Sequence, residues 1–166
     1  MPPTRPDRSE PGESPAVRLA RDAAKLARSA RRHLDLYSHE LPADVYATEA
    51  FCEAIKQLVI GAPRHARVRI LIADTRPAAR GHALVTLGQT LSSAIEFRTP
   101  APGATSWFGE CLIADAARGL TQHERRALTP PQSLGPPEAR KLHGEFEARW
   151  QAAQTASDLR RLYLGG

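Results

Sequence analysis

Hydrophobic and polar positions alternate along this chain with two clear periods. Leu34 and Leu36 alternate with Asp35 and Tyr37, the two-residue period of a half-buried strand. After a break at Pro42, Thr48 is placed to cap a helix with Glu49 in its first turn. Phe51, Ala54, Ile55, Leu58 and Val59 follow at helical spacing, closed by Gly61 and Pro63. Residues 67–73 (RVRILIA) begin as an alternating strand and become continuously apolar, as a strand covered on both faces would. Pro77 suits the first turn of a second helix, on which Leu84, Leu87 and Leu91 share a face; Gly81 and Gly88 lower its intrinsic propensity. Ile95 and Phe97 alternate with Glu96 and Arg98 in a short strand. A Pro/Gly loop then leads to a longer strand over 107–114 (WFGECLIA), with a hairpin partner over 117–121. Beyond a Pro-rich loop at 129–137, Leu142, Phe146, Trp150 and Ala153 form the stripe of a last long helix, and Ser157 is placed to cap a final turn bearing Leu159 and Leu162.

Two segments precede this pattern. Residues 1–15 are rich in proline and charge, with little to bury, and are expected to be a disordered tail. Residues 16–32 read as a helix dense in alanine and arginine. Val17, Leu19 and Leu26 are its large apolar residues, so weak, peripheral docking is expected. The organised domain is therefore placed at 33–166. The order β-α-β-α-β-β-β-α implies an α/β fold: a mixed, mostly parallel sheet with helices on both faces and an antiparallel hairpin.

Composition narrows the class. The chain has 166 residues, 42% hydrophobic and 25% charged, within the range of a globular domain. No apolar run approaches the roughly 20 residues of a membrane span, and the first residues lack the apolar stretch of a signal peptide, so a cytoplasmic protein is expected. The net charge of +5 is unevenly distributed: residues 1–33 hold 8 Lys and Arg against 4 Asp and Glu, and residues 34–166 hold 15 against 14. With no recognisable reading element, nucleic acid is not expected as a partner; binding through the basic leading helix is the weakest of three functional readings.

Motifs that carry chemistry are sparse. GxSxG, GxGxxG and P-loop strings are absent, and no two histidines share the i, i+4 spacing of a zinc pair. No metal or cofactor is implied. Cys52 and Cys111 lie in apolar elements and read as buried thiols. His82 reads as a hydrogen-bonded structural residue, while His33, His65, His123 and His143 fall in polar segments and read as solvated. Phe146 and Trp150 read as core anchors.

The strings LDLYSHEL and AFCEAIKQLVIGAPRHARVRILIAD, with the order of elements over about 33–154, resemble one half of the phospholipase D-like fold. More narrowly, they resemble an uncharacterised proteobacterial domain family of that fold, sometimes joined to an acetyltransferase. Active members carry HxKxxxxD, in which the histidine attacks phosphorus, the lysine binds phosphate and the aspartate closes the motif. On this chain Asp115 matches the aspartate, whereas Phe108 stands at the histidine position and Glu110 at the lysine position. Phenylalanine cannot attack phosphorus, and glutamate repels the anion lysine would hold. The resemblance thus implies the fold without the activity. It places a pocket rimmed by Ser38, His39 and Glu40, with Asp74, Arg98 and Glu110 beside it.

Alternation puts Phe108, Glu110 and Leu112 on one face of their strand. A glutamate there needs a partner if buried, and Arg98 on the neighbouring-looking strand is the expected one. Ser38, His39, Arg98 and Glu110 are the candidate ligand contacts, with His82, Asp74 and Asp115 in structural roles. Because the family's site needs two motif copies, a homodimer is implied; another protein is the other expected partner. The leading reading is a non-catalytic binding or interaction module. The alternative is a divergent phosphodiesterase or phosphoryl-transfer enzyme with relocated residues.

Overall fold

The computed structural model describes residues 13–123 and 130–159. Most of the expected tail, and Leu162 of the expected final turn, lie outside the described residues. In chain order the elements are α1 (Pro15–Ser29), β1 (His33–Ser38), α2 (Ala43–Tyr46), α3 (Glu49–Gly61), β2 (Arg67–Ile72), α4 (Ala83–Thr90), β3 (Ile95–Thr99), β4 (Glu110–Ala114), β5 (Arg118–Gln122), β6 (Gln132–Leu134), α5 (Pro136–Ala152) and β7 (Gln154–Thr155). The strands form one sheet in the order β6-β5-β4-β1-β2-β3-β7. β1, β2 and β3 run parallel, while β4, β5, β6 and β7 pair antiparallel with their neighbours. This is the mixed α/β architecture expected from the alternation of periods, but two of its six strand pairings are parallel, so the sheet is mostly antiparallel where a mostly parallel one was expected. β4 returns beside β1, and short edge strands extend both sides.

The two faces are covered unequally. Leu34 and Leu36 of β1, Val68, Ile70 and Ile72 of β2, and Leu112 of β4 meet α1, α3 and α4 in the larger core. Tyr37, Leu71, Cys111 and Ile113 point the other way, under Leu142, Phe146 and Trp150 of α5. Alternation along each strand produces this partition.

α1 departs from the expected weak docking. Leu19, Ala23, Ala24 and Ala27 are all buried, and the helix packs against α2 and α3. Alanine supplies little apolar area, yet its small side chain lets helix axes approach closely, which a count of large residues misses. Ser14 caps this helix by accepting the Val17 N–H at 3.1 Å. Thr48 caps α3 in the same way through the Phe51 N–H.

Helix α4 begins at Ala83, six residues after Pro77. Gly81 at φ +87° turns the chain just before it, and His82 caps it. Gly88 sits where an added Cβ would lie 2.3 Å from the Phe97 ring, so close packing on β3 requires glycine there. β4 starts at Glu110 rather than at residue 107. Residues 107–109 are non-strand, and Phe108 packs with the α5-side cluster, so it does not share a face with Glu110. The three-residue β6 and two-residue β7 were not expected, and neither was α2.

Candidate functional site

Ser38 ends β1, and the register sets it directly opposite Glu110, the first residue of β4. Its hydroxyl lies 2.7 and 2.9 Å from the two Glu110 carboxylate oxygens. The same oxygen accepts the Leu41 N–H at 2.8 Å, which closes a turn holding Leu41 at φ +56°. A buried leucine in the left-handed region is strained, so surrounding contacts must over-determine it. His82 is one of them, since its Nε2 lies 2.9 Å from the Leu41 carbonyl while its Nδ1 accepts the Leu84 N–H at 3.1 Å. These contacts require the proton on Nε2, and burial holds the imidazole below its ordinary pKa. Both ring nitrogens of His82 are thus engaged by the backbone.

Glu110 is 7% exposed. Burial pushes its carboxyl up to about 7, against hydrogen bonds from Ser38, the Tyr46 hydroxyl and the His39 N–H; the nearby Glu40 charge adds to the rise. Tyr46 is itself fully buried, with its phenol raised well above the ordinary value by burial first and by Glu110 second. All the hydrogen-bond donors named for this carboxylate are neutral.

Arg98 takes no part. Two strands, β1 and β2, separate β3 from β4, about 14 Å at ordinary strand spacing. Arg98 also points to the opposite face, where it pairs with Glu96 at 2.7 Å, donates to the Trp150 carbonyl at 2.9 Å and lies over the Trp150 ring. The expected Glu110–Arg98 pair is therefore absent. Adjacency in sequence suggested a neighbouring strand, but β4 returns to the far side of β1.

His39, half-buried, follows Ser38 and comes together with Glu40 and Asp74, their ligand atoms within 4.8 Å of one another. This set has the donor types of a divalent-cation site. Asp74, however, is engaged by Arg76 through both carboxylate oxygens at 2.8–3.1 Å, which holds its carboxyl down at about 2. Asp115 closes the β4–β5 hairpin at φ +53°. It accepts the N–H groups of Arg31, Arg32 and His33, each at 2.9 Å, and pairs with Arg118 at 3.3 Å. It fastens the hairpin to the start of β1 and is remote from Ser38 at the other end of that strand.

Phe108, at the motif's histidine position, lies edge-on to Trp107 at 5.1 Å and 4.9 Å from the His123 ring. Residues missed by sequence reasoning include Tyr46, in a stretch too short for periodicity, and a second polar cluster under α5. There the buried Asp35 pairs with Arg69 at 2.8 Å, with His143 Nε2 at 3.6 Å, and Arg69 also reaches Glu147 at 2.6 Å. His143 is thus half-buried against a carboxylate, not solvated. Cys111 is buried, while Cys52 is half-buried.

Among solved structures, the archaeal chromatin protein TrmBL2, described as showing a novel mode of DNA binding, aligns with a TM-score of 0.61 at 12% identity. The alignment covers 87% of this chain, which spans about half (53%) of that protein's length. NucT from Helicobacter pylori, a phospholipase D family member, aligns with a TM-score of 0.54 at 11% identity, covering 84% of this chain and 92% of its own. Nuc from Salmonella typhimurium, another member, is at 0.46 and 17% identity, covering 80% and 87%. The fold is phospholipase D-like, as the order of elements implied. No helix among the described residues is long and apolar enough to cross a membrane. No curated protein matches the sequence. The family described as Domain of unknown function (DUF7931) matches residues 16–162, and with nearly the whole chain matched, this protein belongs to it.

Proposed function

We propose that this chain is a non-catalytic phospholipase D-like module that works by binding. The observation carrying this reading is Glu110, buried at the position of the motif's lysine and held by Ser38, Tyr46 and a backbone N–H. A phosphate arriving there would meet a carboxyl group in place of an ammonium. Ionised, that carboxyl repels the anion; protonated, it offers no charge to stabilise a pentavalent transition state. Phe108 at the nucleophile's position, wedged against Trp107 and His123, supports the same reading. The partner is another macromolecule, with self-association following from the two-copy arrangement of active members.

A second reading, a divergent phosphodiesterase, has one observation in its favour: His39 is grouped with Glu40 and Asp74 near Ser38. Incubation with generic phosphodiesters separates the two. The expected result is no turnover and no phosphohistidine. Turnover lost in His39→Ala or His123→Ala would establish the enzyme reading instead.

A further inference from the structure

The end of the sheet away from Ser38 and Glu110 gathers cations from three separate stretches of chain. Arg31 and Arg32 lie between α1 and β1, with their backbone N–H groups fixed on Asp115. Arg67 begins β2 and donates its N–H to the Arg32 carbonyl at 2.9 Å. Arg64 lies in the turn that leads to Arg67, which is closed by hydrogen bonds from the His65 and Ala66 N–H groups to the Ala62 carbonyl. Arg118 begins β5 and donates to the Ser29 carbonyl at 3.0 Å and to Asp115. All five arginines are exposed.

One carboxylate, Asp115, is built into this group, and three backbone N–H groups and Arg118 already occupy it. Among the described residues, no carboxylate pairs with Arg31, Arg32, Arg64 or Arg67. Cations in the last turn of a helix are explained by the helix dipole. That accounts for Arg28, but these arginines stand beyond helix ends, in a turn or on strands.

From this placement we infer that the β1/β2 N-terminal end binds the phosphate backbone of duplex nucleic acid. The inference rests on the binding-module reading and supplies its partner. Guanidinium forks match phosphate oxygens in pairs, and five of them on rigid backbone positions meet a polymer of regularly spaced phosphates. Three chemical facts favour a duplex over other anionic partners. Among the described residues the rings beside the five are two imidazoles, His33 and His65, with no Phe, Tyr or Trp next to them in the chain, so bases of a single strand have no large ring to stack on. One exposed apolar residue, Ile60 at the end of α3, lies four residues before Arg64, too little apolar surface to anchor a protein partner. No element enters a groove, so the contact positions a backbone without reading sequence.

Three to four phosphate contacts imply a log–log salt slope near −3, or about 60-fold weaker binding on going from 50 to 200 mM salt. The test measures anisotropy of two labelled duplexes of about 20 base pairs and unrelated sequence, against the full chain. The expected result is equal affinity for both duplexes, that salt slope, and a slope reduced by about 2 in the Arg31→Gln/Arg32→Gln variant. Arg76→Gln, at the opposite end, should bind as the wild type does, and melting curves verify that each variant is folded. The inference is overturned by no binding at 50 mM salt, by binding that the arginine variant leaves unchanged, or by equal binding of poly-glutamate at matched charge. Integrity of the duplex is followed in the same samples. Strand cleavage with intact, arginine-dependent binding would sink the non-catalytic reading while leaving this surface in place.

Discussion

Two carboxylates are buried in the same sheet, on opposite faces, and each is accommodated by different physics. Asp35, 1% exposed under α5, meets a guanidinium: Arg69 lies 2.8 Å away, itself backed by Glu147 and stacked against Phe146 and Trp150. Its second oxygen, Oδ2, has no hydrogen-bond partner and faces His143 Nε2 at 3.6 Å. Glu110, on the face covered by α1 to α4, is surrounded by a serine and a tyrosine hydroxyl and by a backbone N–H. One face pairs its carboxylate with a cation. The other raises the pKa until the charge is half gone near neutrality. A carboxylate is thus buried at the start of β4 among neutral donors, with no cation named against it.

The contrast predicts its own largest effect at Asp35. Asp35→Ala leaves the partly buried Arg69 guanidinium with the more exposed Glu147 as its remaining carboxylate, and should cost about 3 kcal/mol in denaturant unfolding. Arg69→Met added to it should recover part of that loss, because the two residues form one unit. A loss under about 1 kcal/mol would mean that solvent, not Arg69, carries the Asp35 charge.

Glu110 should behave in the opposite manner. Its folded pKa, about 7, lies above its ordinary value of 4.5, so the unfolded chain releases this proton first as pH rises. Stability from this group is therefore fully present below pH 4.5 and falls as pH rises to about 7, by up to about 3 kcal/mol. Glu110→Gln removes that slope. Urea midpoints should show the variant gaining on the wild type between pH 5 and pH 8, and a constant difference across that range would break the comparison.

The smallest expected effect is a coupling close to zero. Arg98 and Glu110 are separated by two strands and occupy opposite faces, so Arg98→Met and Glu110→Gln should add within about 0.5 kcal/mol. A larger interaction energy would place them in one network and erase the distinction between the faces.

These contrasts also mark what was legible in the sequence. The two-residue alternation of β1 and the stripe of α3 survive in the structure because each is long enough for its period to be unambiguous. α2, β6 and β7, at four, three and two residues, carry no period. Tyr46 went unread for that reason, although it is a principal neighbour of Glu110. Ser38 and Glu110 could be singled out as candidates because strand ends and a misplaced carboxylate can be seen in sequence. Their partners were not, since strand order in the sheet is set by packing: β4 pairs with β1, and Arg98 goes to Trp150. Asp35 and Arg69 read as the solvent side of alternating strands because nothing in the pattern says that α5 covers them. Counting charge by segment likewise hid the basic end, where Arg31 and Arg32 of the leading segment meet Arg64, Arg67 and Arg118 of a nearly neutral domain.

The most direct test of the central claim, that Glu110 is buried among neutral donors at the start of β4, is an NMR titration of its side-chain carboxyl carbon in the full chain. The account predicts a midpoint near pH 7, absent from the Glu110→Gln spectrum. A midpoint at or below 4.5 would contradict it, because the carboxylate would then be solvated or paired with a cation.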